Sequence, residues 1–205
     1  MERIYGARVS RRSIERQVWP ALEEAGFELL APHAAWRHWH GGVDAVHVLW
    51  ERDDAFRLVA GVQFDAVPHR PRLRSGRSAP QAAELHIVRA YPPGLAYADA
   101  IDRELWLTGD NRSALLGELR GKALRAERSL EVLHDPRRAV AELSHRTRWQ
   151  PRPGTTGWLE VTGYLAAAAG AYDVARPRLQ RLLRELPPSQ ARRAQRVRSA
   201  LTLLP

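Results

Sequence analysis

Apolar positions change their period twice along the chain. Ile14, Val18, Leu22 and Ala25 recur at spacings of four, four and three, which is one face of an α-helix. Gly26 follows where a left-handed C-terminal cap belongs. Pro20 lies inside the same stretch and predicts a kink or a fresh first turn. After Phe27 the period drops to two. Val46, Val48 and Trp50 alternate with His47 and Leu49, and Phe56, Leu58, Ala60, Val62 and Phe64 alternate with Arg57, Val59, Gly61 and Gln63. The second run is a strand with one wholly apolar face. Gly41-Gly42 predicts a two-residue hairpin turn, because both central residues of a type I′ turn need positive φ. Asp53-Asp54 marks the next turn, so 35–64 is expected to be a three-stranded antiparallel meander. An exposed loop over 68–80 and one more strand over 83–91 should follow.

From about Asp99 the helical period returns. Asn111 can cap a helix whose Leu116, Leu119, Ala123, Ala126, Leu130 and Leu133 lie on one face. Asp135-Pro136 is a stop and restart, with Asp as N-cap and Pro at the first helical position. QPRPGTT (150–156) is a linker or turn. Further helices are expected within 157–186 and 190–204. The last of these puts Ala194, Val197, Leu201 and Leu204 on one face and turns Arg192, Arg193 and Arg196 away from it. The fold class is therefore α+β: an antiparallel sheet with a packed N-terminal helix, followed by a C-terminal α-helical bundle. Two regions are expected, 1–110 and 111–205.

The helix ending in WPALEEAGF, the aromatic strand after it and the pair VHVLWERDDAFRLVAGVQF together resemble the DUF4304 family. Pro20, Leu22, Gly26, Phe27, Trp36 and Gly61 carry the resemblance, which covers roughly 10–110. It implies an α+β fold. That family is a domain of unknown function, so the resemblance supplies no catalytic residues. YLAAAAGAYDVARPRLQRLLRELPP (164–188) is similar to one tetratricopeptide unit, with Gly170-Ala171-Tyr172-Asp173 at its turn and Pro187 closing its second helix. A single unit cannot bury both faces, so this hairpin should pack on the preceding helices.

Composition narrows the function classes. A chain of 205 residues, 44% hydrophobic with seven Trp, can bury a proper core. It has no cysteine, which excludes thiol nucleophiles and Cys-ligated metal and fits a reducing compartment. The start, MERIYGARVSRR, lacks the apolar run of a signal peptide. The longest apolar stretch, LAAAAGAY at 165–172, is too short to span a bilayer. A cytoplasmic protein without membrane contact is the expectation. The net charge is +9, yet residues 68–80 carry four Arg and no acid, and residues 176–198 carry eight Arg and one Glu. Outside these two segments the chain is slightly acidic. Lys122 is the only Lys among 32 basic residues, a coding bias that weakens any argument that arginine was selected for phosphate geometry.

Candidate chemistry is sparse. WRHWHGGVDAVHVLW places His38, His40 and His47 on one face of the expected hairpin, where three imidazoles could hold a transition metal. No carboxylate shares that patch, so a solvated sheet face is the expected role and no metal or cofactor is expected. His86 and Glu84 share a strand face as a conceivable acid/base pair, but an ordinary exposed pair is the simpler expectation. No phosphate-loop, dinucleotide, nucleophile-elbow or zinc-protease motif is present. Arg70, Arg72, Arg74 and Arg77 in the loop, with Arg192, Arg193 and Arg196 in the last helix, would be the residues of a nucleic-acid surface. No aromatic residues accompany the helical arginines for stacking on bases. The leading expectation is a non-enzymatic cytoplasmic protein-interaction module of the immunity or accessory type. A nucleic-acid-associated protein is the first alternative and a metal-dependent enzyme the second.

Overall fold

The first helix, α1 (Arg11–Glu23), buries the stripe its spacing predicts: Val18 and Leu22 are fully buried. It passes through Pro20, which lies exposed. The helix ends in a Schellman motif. The Phe27 N–H bonds the Leu22 carbonyl and the Gly26 N–H bonds the Glu23 carbonyl. Gly26 supplies the left-handed residue, at φ 81°, and Phe27 returns to the core beside Leu22. In this computed structural model the described residues are 11–31, 34–50, 56–68, 85–91, 112–144, 149–151 and 154–205. The Asp53-Asp54 turn, the Asn111 cap and nearly all of the 68–80 loop fall outside them.

Six antiparallel strands follow one another across the sheet in chain order: β1 (Glu28–Ala31), β2 (Ala34–Trp39), β3 (Gly42–Trp50), β4 (Phe56–Phe64), β5 (Ile87–Tyr91) and β6 (Gln150–Pro151). The expected meander is therefore present, with β3 and β4 paired from Gly42↔Phe64 to Trp50↔Phe56. Two strands escape the period-two reading. β1 is four residues long and irregular, and β6 is two residues of the stretch expected to be a linker.

The β2–β3 turn differs from the expected one. Trp39 pairs with Gly42, so His40 and Gly41 form the turn. Neither Gly41 nor Gly42 has positive φ. Their lack of a side chain serves close approach instead. A Cβ on Gly42 would collide with the Gln63 carbonyl, and one on Gly41 would collide with the Trp39 ring. The register consequently moves by two residues, which leaves each side chain on its expected face.

Two helices cover the face carrying Val46, Val48, Leu58, Ala60, Val62 and Phe64. The helix α2 (Arg112–Glu131) lies over β3 and β4, and α1 packs beside it towards β1. Ala123, Ala126, Leu130 and Leu133 of the predicted stripe are all buried. After a short 3-10 turn, Val132–His134, Asp135 caps α3 (Pro136–Ser144) by accepting from the Arg138 N–H at 2.9 Å. The remaining helices are α4 (Gly154–Ala168), α5 (Tyr172–Glu185) and α6 (Ala191–Leu203). α4 is buried around its circumference from Leu159 to Ala166. Gly170, at φ 73°, closes α4 with a second Schellman motif. One hydrophobic core runs from Val18 and Phe64 through Leu130 to Leu179 and Val197, so the helices after residue 110 share the core of the sheet.

Candidate functional site

Asp44 sits on the apolar, helix-covered face of β3, with no exposed surface. A carboxylate there must find partners among protein groups. The strand register supplies the first, because Arg37 is its cross-strand neighbour on the same face. Arg37 donates to Asp44 Oδ2 from Nη2 at 2.9 Å and from Nε at 3.3 Å. The second comes from 90 residues further along: His134, in the turn after α2, places Nε2 2.8 Å from the same oxygen. An ionised carboxylate only accepts, so the contact assigns the hydrogen to Nε2, and in that tautomer the lone pair of the ring lies on Nδ1.

The surroundings hold this arrangement firmly. Trp39, also on the helix-covered face, stacks on the His134 ring at 4.3 Å between centroids and an interplanar angle of 19°. Arg37 spends its other Nη on the Ala25 carbonyl at 2.9 Å and on Glu127 Oε1 at 3.2 Å, and it lies over the Phe27 ring. Glu131 stands at the rim, 4.0 Å from the same nitrogen. Burial pushes the Glu127 carboxyl above its ordinary range, with a hydrogen bond to Glu131 adding to the effect and Arg37 opposing it. Asp44 Oδ1 and Trp39 Nε1 are both buried without a hydrogen-bond partner in the protein. His134 differs in being open: its side chain is 26% exposed, and Nδ1 is neither bonded to the protein nor buried. The arrangement is an imidazole anchored at one nitrogen and free at the other.

Sequence reasoning missed this cluster, although one signal was there. An Asp among alternating apolar residues, in GVDAVHV, had to be paired inside the protein. Nothing in the sequence pointed to His134 as the partner. The three histidines that did draw attention are not brought together. His38 pairs with Val43 and His47 with Ala34, which separates them by four residues of strand, roughly 13 Å. His38 and His40 are exposed, whereas His47 is buried, so the expectation of a solvated face is corrected for His47. Among the described residues no group of three or more His, Asp or Glu is placed to hold a metal ion. His86 is buried rather than exposed, and its Nδ1 accepts from the Phe64 N–H at 2.9 Å. Glu84, like Arg70, Arg72, Arg74 and Arg77, lies outside the described residues.

The arginines of the last helices divide into two groups. Arg193 is buried, which corrects its expected outward position. It follows the stripe of Val197 and Leu201 at helical spacing and meets Glu160 of α4 at 2.5 Å. Arg176 donates to the Leu204 and Pro205 carbonyls, Arg178 to Ser144, Arg181 to Glu185, and Arg196 to the Pro68 carbonyl. Arg184, Arg192 and Arg198 are exposed and make no hydrogen bond or ion pair. Beside Glu160, the buried Tyr164 hydroxyl also has no hydrogen-bond partner. Burial, and then the Glu160 charge, push its phenol up to about 12. No protein-family model, curated protein or solved structure compared with the chain matches it.

Proposed function

We propose that this chain is a protein-interaction module, of the immunity or accessory kind, that meets its partner through the surface of its C-terminal helices. The division of the arginines carries the reading. Five of the eight in 176–198 donate to acceptors of their own chain, Arg181 and Arg196 while still exposed, which leaves Arg184, Arg192 and Arg198 as exposed arginines without such a partner. Three guanidinium groups make a poor phosphate track, since nucleic-acid affinity grows with the number of phosphates neutralised. They suit the rim of a protein interface, where Arg is enriched.

The sheet offers little for a partner to extend. β1 is short and carries a register irregularity, and β6 is two residues ending in proline. Both are features of edges protected against further pairing. No helix of the described residues is long and apolar enough to cross a membrane, and a cysteine-free sequence supports a cytoplasmic setting.

A photo-crosslinking amino acid at position 192 or 198, in the full chain in cells, tests the reading, with the exposed Gly117 position in α2 as control. A discrete protein adduct at 192 or 198 that is absent at 117 is expected. An adduct sensitive to nuclease would establish the nucleic-acid alternative instead. Equal labelling at all three positions would refute a helical interface.

A further inference from the structure

We propose that Asp44 and His134 form a proton-transfer dyad whose working atom is His134 Nδ1, suited to taking a proton from water or a hydroxyl group as that oxygen attacks an acyl carbon. The proposal concerns the place where β3 meets the turn after α2 and does not depend on the interaction surface of the last helices.

A general base needs a fixed ring, a defined tautomer and an open lone pair. The Trp39 stack fixes the ring plane, with 4.3 Å between centroids. The 2.8 Å contact of Nε2 with Asp44 Oδ2 sets the tautomer, and full burial of Asp44 keeps water from competing for that bond. The outward Nδ1 supplies the lone pair.

The charged groups paired within the cluster are Asp44 of β3, Glu127 and Glu131 of α2 and Arg37 of β2. In the step itself, the attacking O–H bond breaks as the oxygen–carbon bond forms. The proton moves to Nδ1, and the new positive charge is shared through Nε2–H with Asp44. The leaving group departs with its electron pair and takes up the proton from Nδ1, or from water. Trp39 and Asp44 are positioning residues, because neither touches the reacting atoms.

Two measurements on the full chain test the dyad. Hydrolysis of p-nitrophenyl acetate should fall at least about tenfold in His134→Gln, since a positioned base is worth roughly a hundredfold or more. His38→Gln removes an exposed histidine of the background and should leave the rate within about twofold of the parent, a margin set well below that contribution. Nitrogen-15 spectra of the histidine rings in the unmodified protein give a readout independent of whether any variant folds. The neutral His134 ring should show hydrogen on Nε2, and Asp44→Asn or Trp39→Leu should weaken that preference. Equal hydrolysis by the parent and His134→Gln, or hydrogen on Nδ1 in the parent, would overturn the proposal.

Discussion

At the scale of single residues, the buried polar groups between α4 and α6 make sharp demands. Arg193 and Glu160 are both nearly excluded from solvent, so removing one partner strands the other charge. Arg193→Ala should cost about 3–5 kcal/mol in urea unfolding. Arg193→Met combined with Glu160→Leu should recover most of that loss, because an apolar pair of similar size avoids the desolvation cost. Tyr164 behaves in the opposite sense. Its hydroxyl is buried without a partner, so Tyr164→Phe should be neutral or stabilise by about 1 kcal/mol. The raised phenol also has a pH signature. Its ordinary value is 10.0 and the folded value is about 12, so the neutral form is favoured by folding. That contribution is complete below pH 10 and is lost as pH rises towards 12, and Tyr164→Phe should remove this part of the alkaline slope. These residues show what was legible and what was not. The positions 193, 197, 201 and 204 are one helical stripe, yet a guanidinium in the first of them reads as solvent-facing unless its carboxylate partner on another helix is known.

At the scale of elements, glycines give a clean comparison. Gly117 of α2 has open space where a Cβ would stand, whereas a Cβ on Gly163 of α4 would lie 2.8 Å from Leu179 Cδ2 of α5. Gly117→Ala should therefore stabilise by about 0.5–1 kcal/mol through helix propensity alone. Gly163→Ala gains the same propensity but overpacks the α4–α5 contact at a cost of about 1–3 kcal/mol. Thermal melts of the two variants should move in opposite directions. The stripes of α1 and α2, the strands β3 and β4 and the Asp135 cap were all written in local periodicity. β1 and β6 were not, because four and two residues carry no period and their pairing depends on tertiary neighbours. The hairpin turn was placed one residue late for a related reason. Its glycines answer to the Gln63 carbonyl and the Trp39 ring, which the local sequence does not announce.

At the scale of the whole molecule, the shared core makes the C-terminal helix a structural member. Val197 is buried, Leu201 and Leu204 pack against the core, and Arg193 answers Glu160. Deleting 189–205 should lower the melting temperature and raise aggregation at moderate concentration, as the faces it covers become exposed. A truncated chain that melts like the parent would show that α6 is an independent appendage. The Asp44–His134 cluster lies at this scale beyond reach of the sequence, since it joins segments 90 residues apart along the chain. Only the raw materials were visible: basic helices, and one acid in an apolar strand.

The place of α2 also governs how the protein comes into being. Strands β1 to β5 leave the ribosome in the order in which they pair, but the part of their apolar side over β3 and β4 that α2 covers faces water until α2 arrives after residue 112. Arg37 and Asp44 wait for Glu127 and His134 over the same interval. At ordinary elongation rates of about 5–20 residues per second, that interval lasts several seconds. Exposed apolar surface of this kind is prone to aggregate, so the first 110 residues expressed alone would be expected to collect in inclusion bodies.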